Sequence, residues 1–323
     1  MADYKDIKGG TIQNFAGDPP APIAGQVWYD NAAAAFQFRA SNPTGSWATG
    51  NAMNTGRYYP GGTGTQTSTI AFGGRVSPPN AYVANAETYD GTSWTETGDL
   101  NAARNSMGSS SSGSATAALA FGGTPNTANT EIWDGSSWTE TGNLNTGRQA
   151  LGGCGSTTAA LAVNGNSNAT ETWNGSSWTE VADINTARLA LVALGGTPAA
   201  IAIGGEEPAS PYAIYGQTES WNGSAWTEVG DLNSAGHVAG GAGDQSSGMI
   251  FGGNRPSRTA NTETWNGTNW TEVNNLNAVV AYPGGAGTTT AGLSFGGDLG
   301  PASTGNIEKW NSPVETSETI TTS

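Results

Sequence analysis

Ten residues recur along this chain with light editing: EIWDGSSWTE at 131–140, ETWNGSSWTE at 171–180, ESWNGSAWTE at 219–228 and ETWNGTNWTE at 263–272. Such a repeat constrains the fold more than any other feature, because each copy must be the same supersecondary piece, stacked on its neighbours. The second Trp of the motif serves as a ruler. It falls at Trp47, Trp94, Trp138, Trp178, Trp226 and Trp270, at intervals of 47, 44, 40, 48 and 44 residues. The Glu that opens the motif occurs at Glu87, Glu131, Glu171, Glu219, Glu263 and Glu308. Ahead of each Glu lies a small apolar run ending in a Gly pair or its equivalent, as in LAFGG (119–123), LAVNG (161–165) and IAIGG (201–205).

Each unit therefore reads as four short strands: a Gly-rich stretch such as RQALGGCGS, the small apolar run, the Glu-x-aromatic segment and the SWTEV-type segment. Asp-Gly or Asn-Gly between the last two supplies the positive-φ residues of a tight hairpin. No helical period of useful length appears. A period in the forties with four strands per unit is the signature of a propeller blade. The expected fold is all-β: a six-bladed propeller of four-stranded antiparallel blades. Its last unit has a third strand, IEKWN (307–311), but no Trp-bearing fourth strand, whereas GSWATG (45–50) is a fourth strand without a unit. Six third strands and six fourth strands pair only if Trp47 completes the last blade, which would remove the open edges. Within each hairpin, like charges disfavour Glu131 opposite Glu140. A two-residue turn placing Glu131 opposite Trp138 is the expected register.

Forty-nine Gly and few charged residues suit disorder, but twelve regularly placed Trp argue for a packed fold. The net charge of −15 comes without any Lys/Arg cluster, so no phosphate-tracking surface for nucleic acid is expected. No stretch is long and apolar enough to span a bilayer, and MADYKDIKGGTIQNF has no signal-peptide core, so synthesis in a cytoplasm without membrane insertion is expected.

The six Glu and the Arg that follows four of the fourth strands (Arg57, Arg104, Arg148, Arg188) are expected to brace adjacent strands as ion pairs. A metal ring is the alternative, disfavoured because oxygen sites need converging ligands. A single His (His237) and a single Cys (Cys154) cannot assemble a transition-metal centre, and no nucleophile-elbow sequence occurs. Neither a cofactor nor an enzymatic activity is expected. The longest insertion, EEPASPYAIYGQ (206–217), carries Tyr212 and Tyr215. Loop aromatics of this kind either stack on a sugar ring or cover the adjacent blade.

The Gly pair, the aromatic and the following Trp resemble kelch repeats over residues 47–311, although the aromatic-to-Trp spacing of five is slightly shorter than the kelch pattern. The resemblance implies a propeller and no particular function. Residues 1–45 stand outside the repeat. Their strand Gly25, Gln26, Val27, Trp28, Tyr29 and Asp30, placed ahead of Trp-rich repeats, resembles N-terminal segments of virion structural proteins of tailed, especially marine, bacteriophages. That resemblance implies a non-enzymatic particle protein. A docking arm (1–45) would join other virion proteins of head or tail through Val27, Trp28 and Tyr29, a propeller (46–311) would be displayed, and a tail (312–323) would follow. The rival expectation is an adhesin whose loop face binds a host-surface carbohydrate.

Overall fold

Every described element of the chain is a β-strand. The computed structural model describes residues 13–17, 19, 26–41, 45–208, 213–254, 257–300, 302–312 and 315–320. The polypeptide separates into two compact units, one of residues 46–311 and one of 1–45 with 312–323.

Residues 46–311 form six four-stranded antiparallel sheets. The second sheet, Gly108–Ser109, Ala118–Phe121, Thr130–Trp133 and Trp138–Thr141, is representative. Burial is most complete in the second strand and declines from there to the fourth. First strands are Gly-rich because neighbouring backbones approach them: a Cβ on Gly285 would lie 2.3 Å from Gly241 O, and one on Gly153 2.4 Å from Ser109 N. Second strands such as Ala118–Phe121 are buried at all four residues. In the fourth strands only the Trp is buried, and in five of the six the exposed Thr-Glu that follows gives the short outer edge charge, which discourages edge-to-edge pairing. The Phe closing a second strand packs on the fourth-strand Trp of the next sheet, with ring centroids 4.7 Å apart for both Phe72–Trp138 and Phe121–Trp178. The Gly pair after the second strand turns through left-handed backbone. A Cβ on Gly122 (φ +65°) would lie 2.8 Å from Arg148 O. The third sheet puts Asn164 at the equivalent position (φ 62°), a substitution Asn tolerates better than other residues.

The sixth sheet is Gly284–Gly287, Gly292–Phe295, Ile307–Asn311 and Ser46–Thr49, with Trp310 paired to Trp47 and Glu308 to Thr49. A strand from the start of this unit thus completes the last sheet.

The hairpin register corrects the sequence expectation. Trp133 faces Trp138, and Glu131 faces Glu140, across the loop 134–137. Two effects outweigh the like-charge cost. Asp134 Oδ1 accepts the amides of Ser136 (2.8 Å) and Ser137 (2.9 Å), so the four-residue loop caps itself. The buried Glu131 carboxylate is meanwhile neutralised from the preceding connector: Arg104 Nη1 donates at 2.7 Å, and Asn101 donates its backbone N and Nδ2 at 2.8 and 2.7 Å. Exposed Glu140 takes Asn129 Nδ2 at 2.7 Å.

This clamp recurs. Asn54, Asn101, Asn145, Asn185, Asn233 and Asn277 each donate a backbone N and an Nδ2 to Glu87, Glu131, Glu171, Glu219, Glu263 and Glu308 of the following sheet. Arg57, Arg104, Arg148 and Arg188 add a buried guanidinium to the first four Glu. Burial pushes all four guanidinium pKa values down against the pull of the partner Glu. Gly236 and Val280 take the Arg position ahead of Glu263 and Glu308.

The smaller unit is a sheet ordered Asn14–Phe15, Val27–Asp30, Ala35–Ser41, Glu315–Thr319, parallel only between the first two strands. The expectation of a separate tail at 312–323 is corrected: its strand Glu315–Thr319 pairs with Ala35–Ser41. Asp30 fixes the turn by accepting the amides of Ala32 and Ala33, and the Ala33 amide chiefly holds its carboxyl below the usual range.

Candidate functional site

Where the connector leaves the clamp, each repeat contributes a triplet at the same end of its strands: Tyr58-Tyr59-Pro60, Asn105-Ser106-Met107, Gln149-Ala150-Leu151, Leu189-Ala190-Leu191, His237-Val238-Ala239 and Ala281-Tyr282-Pro283. The middle residue is left-handed in all six, with φ between 51° and 60°. Such backbone is unfavourable for Val and Tyr. Hydrogen bonds between repeats hold it. Tyr59 N donates to Tyr282 O, Tyr282 N to Val238 O, Val238 N to Ala190 O, Ala190 N to Ala150 O and Ala150 N to Ser106 O, at 2.8–3.0 Å.

The backbone repeats here, but the side chains do not. Tyr59 and Tyr282 lie 4.2 Å apart by ring centroid, and Tyr58 lies 5.7 and 5.9 Å from them. The first residue of a triplet bridges to the residue after the Gly pair, which brings Tyr58 to Arg75, His237 to Asn254 and Ala281 to Asp298. Arg75 Cζ lies 6.0 Å from the Tyr58 ring and 5.6 Å from the Tyr82 ring. Asn254 Nδ2 donates to the Tyr282 hydroxyl at 3.3 Å, Arg258 Nη2 donates to Asp298 at 2.7 Å, and His237 Nδ1 lies 3.0 Å from Glu206 Oε2. Burial pushes the phenols of Tyr58 and Tyr59 up, with Arg75 opposing the shift at Tyr58. Aromatic faces, phenol hydroxyls and cations are therefore concentrated on the first, fifth and sixth repeats, while the second and third carry Asn105, Ser106, Gln149 and Ala150. This combination suits binding of a polar ligand by stacking and hydrogen bonds.

The cavity bounded by the six middle residues is about 110 Å³. That is well below the roughly 300 Å³ at which small-molecule pockets begin. A ligand would lie over the tyrosines rather than inside. At the other end of the strands a cavity of about 480 Å³ is lined by Ser112, Thr197, Asp244 and Gln245 among others. Its polar groups are already engaged with protein: Ser112 Oγ donates to Gly195 O, Gln245 Nε2 to Trp221 O, and Asp244 Oδ1 accepts from Ser246 and Ser247.

Of the residues singled out in the sequence, Trp47, Trp94, Trp138, Trp178, Trp226 and Trp270 are buried, as are all six clamp Glu. Burial also pushes the Cys154 thiol up to about 12. Tyr212 lies outside the described residues. Tyr215 is half-buried, with its backbone tied to Gly205 and Gly236. The expectation that Val27, Trp28 and Tyr29 form an exposed docking strand is corrected: Val27–Asp30 is paired on both sides, and Trp28 is fully buried. With both sides paired, its backbone cannot extend a partner's sheet. The Tyr58–Tyr59–Tyr282 cluster escaped the sequence reading. Its signal was present, however: RYYP (57–60) and AYP (281–283) stand in register with RQAL and RLAL.

No protein-family model matches this chain, and no curated protein matches it.

Proposed function

We propose that this chain is a non-enzymatic structural protein of a tailed-phage virion, a kelch-like six-bladed propeller displayed by the smaller unit. Closure of the six sheets into a propeller is supported by contacts joining the first and last repeats. Trp47 pairs with Trp310, Tyr59 N bonds to Tyr282 O, Gln66 Nε2 donates to Gly292 O at 3.1 Å, and Trp94 lies 5.8 Å from Phe295 by ring centroid. The particle role rests on the resemblance of Gly25–Asp30 to phage virion segments.

One observation carries the attachment part of the reading. The smaller unit is a separate sheet whose outer strands, Asn14–Phe15 and Glu315–Thr319, each pair on one side only among the described residues. Tyr29 and Phe36, 5.1 Å apart by ring centroid, lie together, and Phe36 is 44% exposed. Open strand edges in a sheet that also presents an exposed aromatic are what a partner's strand can extend and pack against. Docking is therefore assigned to the sheet edges and Phe36, not to Trp28. Mass spectrometry of purified particles tests the role. The protein should be present at a fixed ratio to the major head or tail protein, and Phe36→Ser should lower that ratio. Recovery only in the soluble host fraction would refute it.

A second reading, a host-surface glycan-binding adhesin using the propeller's loop face, is favoured by the Tyr58–Tyr59–Tyr282 cluster. It requires no change in the first, since a displayed particle protein can also bind a surface.

A further inference from the structure

Arg75 stands apart from the other arginines whose side chains the structure describes. Arg57, Arg104, Arg148, Arg188 and Arg258 each pair with a carboxylate. Arg75 pairs with none among the described residues, in a chain with 26 acidic and 11 basic residues. Its Nε, like that of each clamp arginine, is buried without an acceptor, and its Cζ lies 6.0 Å from the Tyr58 ring and 5.6 Å from the Tyr82 ring. Tyrosine faces hold a cation well but leave its N–H groups unsatisfied.

We infer that Arg75 is the recognition cation for a sugar carboxylate, so that the loop face binds a uronic-acid-type pyranose within a surface glycan. The inference rests on the glycan-binding reading. Three features support it. First, the cradle is pre-built, because the hairpin of Arg75–Val76 and Ala81–Tyr82 is pinned by Ser77 N to Ser303 Oγ (3.1 Å) and Ser303 N to Ser77 O (3.0 Å). A rigid site loses little ordering entropy on binding. Second, the guanidinium fork matches a carboxylate in two parallel hydrogen bonds, while Tyr82, 40% exposed, offers its ring to the C–H face of a pyranose. The Tyr58 hydroxyl, bonded to Asn80 Oδ1 at 3.2 Å, lies within the same cradle for a sugar hydroxyl. Third, the surroundings set the charge. Asp298 is already held by Arg258 Nη2 at 2.7 Å, which leaves the Arg75 charge to an incoming carboxylate.

Calorimetry on the full chain provides the test, with a galacturonic acid trisaccharide, its carboxyl-reduced galactose counterpart and a sulfated galactose trisaccharide as probes. The acidic trisaccharide should bind, and more weakly as salt rises from about 50 to about 200 mM. Carboxyl reduction or Arg75→Gln should each weaken binding ~10- to 100-fold. Arg75→Lys should fall between, because the charge remains and the fork does not. Tyr82→Ala, at an exposed ring, should weaken binding with an unchanged melting temperature. Equal affinity for the acidic and reduced trisaccharides, or tighter binding of the sulfated one, would overturn the carboxylate inference and leave glycan binding standing. Binding of none of the three, with every variant folded, would overturn both.

Discussion

The indole Nε1 of Trp178 donates to Thr130 Oγ1, on the preceding sheet, at 3.0 Å. The same bond joins Trp226 to Thr170, Trp270 to Thr218 and Trp47 to Thr262, at 3.1–3.2 Å. In the two remaining repeats the Thr position is Ala86 or Ile307, and the Nε1 atoms of Trp138 and Trp94 are buried with no acceptor. A buried donor left unsatisfied costs about 1–3 kcal/mol. Ala86→Thr should therefore stabilise the protein by about 1 kcal/mol, and Thr130→Val should destabilise it by about as much. Urea midpoints at constant slope measure both. A destabilising Ala86→Thr would mean that the packing around Trp138 leaves no room for the hydroxyl.

The clamp on Glu171 makes a second prediction. Removing one partner of a buried ion pair typically costs about 3–5 kcal/mol. Glu308 has Val280 at the clamp position and no Arg partner among the described residues, so an Asn can hold the carboxylate without one. That places Arg148→Met at the lower end, about 3 kcal/mol. Adding Glu171→Gln should recover most of the loss, because the buried charge disappears while Asn145 can still donate to the amide oxygen. A double variant no more stable than Arg148→Met would contradict this.

Acid sensitivity should reside partly in the hairpin loops. Hydrogen bonds from Ser136 and Ser137 lower the Asp134 carboxyl to about 2, and the amides of Ser93 and Thr92 lower that of Asp90. A depressed folded pKa gives stability that is present above the unfolded value of about 3.9 and lost as pH falls through the folded one. Asn174 performs the same capping without a titrating group, accepting from Ser176 and Ser177 at 3.0 Å. Asp134→Asn should thus leave stability at pH 7 nearly unchanged and flatten its decline between about pH 4 and 2. Thermal melts across that interval read the difference, and an unchanged acid slope would rule out Asp134 as a contributor.

The period, the four strands and the pairing of Ser46–Thr49 with Ile307–Asn311 were legible because each rests on local chemistry repeated six times. Register was not. Repulsion between Glu131 and Glu140 was visible, whereas Arg104 and Asn101 neutralise Glu131 from the connector of the preceding repeat, a contact made only by stacking. The burial of Trp28 was not legible either, because a short alternating strand does not reveal whether both of its edges are paired. The tail strand Glu315–Thr319 carries no repeat signal at all. The tyrosine cluster was hidden for the opposite reason: Tyr59 and Tyr282 are 223 residues apart in sequence and meet only when the first and last repeats do.

That meeting is best tested by a cross-link in the full chain. Ala48 and Lys309 are directly paired on adjacent antiparallel strands, a separation that a disulfide can span. The only native cysteine, Cys154, is buried. Ala48→Cys/Lys309→Cys, oxidised under native conditions and read by thiol titration and intact mass, should form one intramolecular disulfide and raise the denaturant midpoint. Two freely reactive thiols in the folded protein, with no cross-link, would contradict the proposed closure of the repeats into a propeller.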